Sequence, residues 1–215
     1  MAGDLVVEVG CGTGRMTLPL AALTPARVLG VDAEARMLEV ARTKDAAGRV
    51  EWMRGSAYRL PLADEAAALV VMVMVVHLLR QRVRAFAEAR RVLRGAGRLS
   101  VWTFTPRHVA EFYLNAYFPS IAVIDRPRFP SVDVLAAELR RAGFVELQVE
   151  VREETRRMPL AEVVDRVRGR YISTLSMLPP LEYRLGLQRL EELLAQDRGA
   201  TLTQRSEWAI ITARK

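Results

Sequence analysis

Apolar residues follow two rhythms along this chain. Leu5, Val6, Val7 and Val9 run almost without interruption into Gly10, as in a short strand buried on both faces. Arg27-Val-Leu-Gly-Val-Asp32 and Val50-Glu-Trp-Met-Arg54 repeat the run, and Ala67 to Leu79, apolar on both faces, is predicted as a central fourth strand. Between these runs the spacing turns helical. Met16, Leu20 and Leu23 predict a first helix. Met37, Leu38, Val40 and Ala41 predict a second over Glu34 to Ala46, opposed by Glu34, Arg36, Glu39 and Arg42. Gln81 to Leu93 predicts a third, with Val83, Phe86, Ala87 and Leu93 inward and Arg82, Arg84, Glu88 and Arg91 outward. Arg94-Gly-Ala-Gly-Arg98 breaks it, and Leu99 to Phe104 reads as a fifth strand. Strands and helices alternating in this way argue for an α/β protein with a doubly wound parallel sheet.

Beyond Phe104 the rhythm changes. Pro106 to Pro130 holds two short aromatic-rich pieces broken by prolines, with Phe112, Tyr113, Tyr117, Phe118 and Phe129. Ser131 is placed to cap a helix from Val132 to Ala142, and Gly143 to end it. Phe144 to Val151 predicts a strand. Leu160, Val163, Val164, Val167 and Tyr171 then mark one helix, and Leu181, Leu185, Leu190, Leu193 and Leu194 another beyond Pro179-Pro180. Thr201 to Arg214 reads as the last strand, with Trp208, Ile210 and Thr212 alternating against Ala209 and Ile211.

The first strand ends in Gly10-Cys-Gly-Thr-Gly14, and the second ends in Asp32, eighteen residues later. Alternate glycines let the backbone turn sharply and keep side chains away from a ligand. An acid at the tip of the neighbouring strand is placed to accept hydrogen bonds from ribose hydroxyls. The dinucleotide pattern does not apply, because Gly14 follows Gly12 by two positions and Glu8 precedes the loop inside the strand. Glu8-x-Gly10-x-Gly12-x-Gly14 with Asp32 behind it resembles motifs I and II of the class I S-adenosylmethionine-dependent methyltransferases, in particular the quinone-biosynthesis C-methylases. The resemblance covers residues 5 to 104 well and the remainder in outline.

The resemblance implies a Rossmann-like methyltransferase fold, a seven-stranded and mostly parallel sheet whose last strand is antiparallel and follows a helical insertion at 159–196. It implies one domain over 1–215, with a cofactor-binding half at 1–104 and a substrate-side half at 105–215. The aromatic segment and the helical pair would then cover the cofactor and select the substrate. Carried over residue by residue, S-adenosyl-L-methionine would be held by Glu8, Gly10, Cys11, Gly12, Gly14, Asp32, Ala33, Met37, Ser56, Ala57, Tyr58, Met72 and Val73. Glu8 would orient backbone amides at the strand end. His77, just after the fourth strand, is the candidate general base; its alternative role is to orient the next helix. Three departures stand out: Ser56 replaces the usual acid of Gly-Asp-Ala, Ala67-Ala68 replaces an aromatic-Asp pair, and Arg94-Gly-Ala-Gly-Arg98 lacks the usual proline. Tyr58 against the adenine would offset part of the first.

Composition narrows the picture. Hydrophobic residues make up 51% of the 215 residues, yet Ala66 to Val76 is the longest apolar run, too short to span a bilayer. A cytoplasmic enzyme is therefore expected. Cys11 is the only cysteine, so no intrachain disulfide forms, and the two histidines, His77 and His108, make no metal signature. The formal charge of +7 raises a nucleic-acid reading, but it is carried by arginines spread over the predicted helices, with Lys44 and Lys215 the only lysines. Carbon methylation of a pyrimidine needs a cysteine nucleophile outside the loop, and methylation of a base amine goes with Asn/Asp-Pro-Pro-aromatic, where this chain has Val-Met-Val-Val-His77. A small-molecule acceptor is thus the leading expectation. An RNA-modifying methyltransferase and a cofactor-binding regulatory module without catalysis are the alternatives. Only Met1 to Asp4 precede the first strand, so the loop is expected to be less enclosed on its N-terminal side.

Overall fold

In the computed structural model, which describes residues 3–215, seven strands form one mixed, mostly parallel sheet in the order β3-β2-β1-β4-β5-β7-β6. Met1 and Ala2, part of the short lead-in to the first strand, lie outside the described residues. The strands are β1 (Leu5–Val9), β2 (Arg27–Asp32), β3 (Val50–Arg54), β4 (Ala67–Val73), β5 (Leu93–Phe104), β6 (Val145–Pro159) and β7 (Thr201–Arg214). Helices α1 (Thr17–Leu23), α2 (Ala35–Lys44) and α3 (Arg82–Val92) connect the parallel strands, and α4 (Pro106–Ala110), α5 (Ser120–Asp125), α6 (Val132–Arg141), α7 (Leu160–Arg168) and α8 (Pro180–Gln196) follow. The pairs β1–β2, β1–β4, β2–β3 and β4–β5 are parallel. The helical insertion before β7 is present, as α7 and α8.

Two-residue periodicity divides the sheet between two layers. Val7, Val9, Leu29, Val31, Val70, Met72, Leu99 and Val101 pack with Phe86, Ala89 and Val92 of α3 and Leu135 and Leu139 of α6. Val6, Val28 and Val50 face the other way, toward Leu18, Leu20 and Ala21 of α1 and Trp52. The chain divides into two compact units. The first holds 1–103, 131–150 and 209–215, and the second 104–130 and 151–208. The second has its own core, built from Leu114, Phe118, Ile121, Leu160, Val163, Val164, Val167, Leu175 and Leu190, among others. Among the described residues no helix is long and apolar enough to cross a membrane.

Helix existence follows the periodicity, whereas several faces do not. In α1 the buried residue is Thr17, and Leu23 is 85% exposed. In α2 only Leu38 and Ala41 are buried, so Met37 and Val40 face outward. In α3 the inner face is Ala85, Phe86, Ala89 and Val92; Ala87 is exposed, and Glu88, expected outward, is drawn inward to bind the Leu60 amide at 2.6 Å. In α8 the buried positions are Gly186 and Leu190, while Leu181, Leu185 and Leu193 are exposed. The fourth strand stops at Val73 rather than Leu79. Met74 turns to a positive φ of 51°, its N–H bonds the Trp102 carbonyl at 2.8 Å, and 76–78 form a 3-10 turn. The expected break at 94–98 is instead a bulge within β5: Ala67 pairs Leu93 and Leu69 pairs Arg98, so 94–97 loop out, with Ala96 at a φ of 60°. Ser131 caps α6 as expected, accepting from the Val134 N–H at 3.3 Å, and Gly143 at a φ of 91° ends it.

Candidate functional site

The sheet order reverses between β1 and β4, and the crevice outside their carboxyl ends is where open parallel sheets bind ligands. The Gly10–Gly14 loop lies there. The Val31 carbonyl accepts both the Gly10 N–H at 2.7 Å and the Cys11 N–H at 3.1 Å, which draws the loop onto the tip of β2. The Gly12 N–H then donates to Asp32 Oδ2 at 2.7 Å, and the Glu34 N–H to Asp32 Oδ1 at 2.9 Å. One carboxylate thus fastens the loop and the start of α2 together. With two donors bound, it still has acceptor lone pairs to offer.

The glycines here do not all serve the same purpose. A Cβ on Gly10 would stand 2.4 Å from Val75, where the chain leaves β4. A Cβ on Gly14 or on Gly30 would stand 2.7 Å from the ring of Trp52, which fills the space beneath the loop. Gly12, at a φ of 54°, would meet nothing within 4 Å, so its missing side chain opens onto free space beside Asp32. Trp52 is fixed in turn by an indole N–H bond of 3.1 Å to Asp45. Lys44 reaches across to the Thr13 hydroxyl at 3.0 Å.

Glu8 is buried in β1, and its carboxylate accepts the Thr17 hydroxyl at 2.6 Å. Its partner is therefore a helix side chain rather than the loop amides; the amide held by an acid is that of Gly12, and the acid is Asp32. Burial pushes the Glu8 carboxyl up to about 7, against the pull of the Thr17 bond and of Arg15. The Cys11 thiol is buried beneath Gly30, and burial, followed by the charges of Asp32 and Glu8, pushes it up to about 12. Such a thiol is protonated at neutral pH and inert, so only the Cys11 backbone serves the loop.

The remaining predicted residues divide. Ala33 and Met37 are exposed, Met37 by 44%, on the approach to and the first turn of α2. Ser56, Ala57 and Tyr58 form the turn after β3, where Ser56 Oγ accepts the Tyr58 N–H at 3.2 Å. The Tyr58 hydroxyl accepts the Arg80 N–H at 3.0 Å and the Gln81 N–H at 3.4 Å, tying that turn to the start of α3. Met72 is fully buried in the main core and so lines nothing; Val73, half-buried at the strand end, remains beside the crevice. His77 is half-buried in the 3-10 turn that follows. Sequence reasoning missed Thr17, Trp52, Lys44 and the pair Glu88–Arg91, which holds the 60–64 turn through Leu60, Leu62 and Asp64. Only the last carried a signal, an acid and a base three apart on one helix.

Residues 7–101, which contain this loop and Asp32, match the methyltransferase domain family. Those residues are a methyltransferase domain. It is 32% identical over 160 residues to the O-methyltransferase cnsE of Penicillium expansum, covering 72% of this chain and 57% of that one. Against the ubiquinone/menaquinone biosynthesis C-methyltransferase UbiE of Geotalea daltonii it is 28% identical over 170 residues, 66% of this chain and 71% of the relative. The crystal structure of the YcgJ protein of Bacillus subtilis superposes over all of this chain and 92% of its own, with a TM-score of 0.69 at 19% identity, and so shares the fold. This methyltransferase-domain chain spans only 57%, 44% and 64% of the first three curated relatives it matches.

Proposed function

We propose that this chain binds S-adenosyl-L-methionine in the Gly10–Gly14 crevice and moves its methyl group to a small-molecule acceptor. The observation that carries the reading is the Asp32 carboxylate closed onto the Gly12 amide beside the open face of Gly12. That cradle suits a nucleoside: Asp32 retains lone pairs for ribose hydroxyls, and no side chain at Gly12 blocks the approach. Ala33 and the exposed Met37 offer apolar surface to one side of an adenine, and Ser56, Ala57 and Tyr58 flank the other. Val73 borders the methionine arm. When bound, the cofactor supplies a sulfonium-activated methyl, which bonds to an acceptor lone pair as the C–S electrons pass to sulfur. The chain's own part is to hold, align and exclude water. His77 takes the proton of an acceptor hydroxyl.

The small-molecule class is supported by the names of the relatives, an O-methyltransferase and a quinone-biosynthesis C-methyltransferase. A cytoplasmic setting accords with an apolar inventory that includes no membrane-length helix among the described residues. Calorimetric titration with S-adenosylmethionine tests the reading. Saturable heat is expected, and Asp32→Asn should weaken binding about tenfold, the scale of a hydrogen bond to a charged group. No heat at millimolar cofactor overturns it. His77→Ala should lower kcat while leaving cofactor affinity unchanged; an unchanged kcat removes the base role alone.

A further inference from the structure

Strand β6 ends the sheet order, so β7 pairs with one of its sides and no strand of the sheet pairs with the other. An open edge of this kind offers a row of backbone N–H and C=O groups to a further strand. The stretch 151–157, which lies within the second unit, is exposed at every residue. It contains neither proline nor lysine, two residues that ordinarily blunt an edge. An exposed edge alone names no partner.

The charges along it do. Glu153-Glu-Thr-Arg-Arg157 inverts its charge about Thr155. Set antiparallel to a copy of itself with Thr155 opposite Thr155, the stretch opposes Glu154 to Arg156 and Glu153 to Arg157, each pair twice because the arrangement is two-fold. Opposed residues share a face of the extended sheet, at the separation over which cross-strand ion pairs attract. Moving the centre by one residue spoils the match. Centred on Glu154, that residue faces itself and Arg152 faces Arg156; centred on Arg156, that residue faces itself and Glu154 faces the buried Met158. Within one chain these charges are only partly used. Glu153 bonds Arg107 at 2.6 Å and Arg156 stands 3.7 Å from Glu162, yet both remain more than half exposed. Among the described residues Glu154 and Arg157 make no ion pair.

We propose that a second copy of this chain adds to the open side of β6, antiparallel and centred on Thr155. The contact lies within the second unit and does not rest on methyl transfer. Sedimentation of the full chain at low ionic strength should show a monomer–dimer equilibrium that shifts toward monomer as salt is added, since the opposed charges are exposed. A chain that stays monomeric at millimolar concentration overturns the proposal. Charge reversal tests the register. Glu154→Arg sets cation against cation and Arg156→Glu sets anion against anion, so each alone should weaken self-association about tenfold or more. Mixed together, the two variants should recover the parent's affinity as a heterodimer, because each then meets its opposite at both positions. Both positions are exposed, so the circular dichroism of each variant should match the parent's. Unchanged self-association of the single variants, or no recovery on mixing, overturns the proposal.

Discussion

Burial moves the chemistry of Glu8 far from that of a surface glutamate. Its carboxyl titrates near 7 in the folded chain against 4.5 ordinarily. Between those values the unfolded chain has released its proton and the folded chain has not. Stability therefore falls as pH rises through that window and is level on either side. A tenfold difference in proton affinity is worth roughly 1.4 kcal/mol, so the whole decline amounts to about 3 kcal/mol. Glu8→Gln keeps an acceptor for Thr17 and removes the titration, so its urea midpoint should stay level across the window in which the parent's declines. Equal slopes in the two proteins would show that another group titrates. Asp32 works differently: its two oxygens hold the Gly12 and Glu34 amides, so its substitution bears on the shape of the loop as well as on ligand charge. The sequence marked Asp32 by its position at a strand tip. It gave no sign that the partner of Glu8 would be Thr17, because that contact depends on how α1 lies against β1.

At the scale of elements, two glycines are held by rings from distant segments. Gly30 sits in the middle of β2, where any β-branched residue would suit the strand, yet Trp52 of β3 occupies the volume its Cβ would need. Gly30→Ala should cost about 1–3 kcal/mol of overpacking and disturb the Gly14 turn that the same ring supports. Chemical denaturation and cofactor titration together check this; full stability with full affinity would mean that the ring moves aside freely. Gly186 lies within α8, where replacement by alanine ordinarily favours a helix by up to about 1 kcal/mol. Here the added Cβ would stand 2.2 Å from the Phe118 ring and 2.6 Å from the Tyr117 carbonyl. The clash outweighs the propensity, and Gly186→Ala should lower the thermal midpoint rather than raise it. The leucine pattern of α8 suggested a broad leucine face. The helix instead buries a narrow one, because Phe118 approaches at a glycine and leaves Leu181 and Leu185 to solvent.

Over the whole molecule, the core is divided between a sheet-centred cluster and a separate cluster in the second unit. Leu190→Ala, at a fully buried position of the second, should cost about 2–5 kcal/mol. Hydrogen exchange should then speed first at α5, α7 and α8, with β1, β2 and β4 protected; uniform loss of protection would show the clusters to unfold as one. What the sequence by itself determined was local: buried parallel strands, because β-branched runs suit nothing else so well; the glycine turn, because a residue without Cβ takes the positive φ of Gly10, Gly12 and Gly14 freely; and Asp32, because a strand tip is a fixed place. What only the tertiary structure decided was which neighbour each side chain meets. The end of β4 at Met74, the faces of α2, α3 and α8, the burial of Met72, the Thr17 bond to Glu8 and Trp52 beneath the loop all arise between residues far apart in the chain. Periodicity records the spacing of apolar groups, and the partner against which they pack is set by the fold.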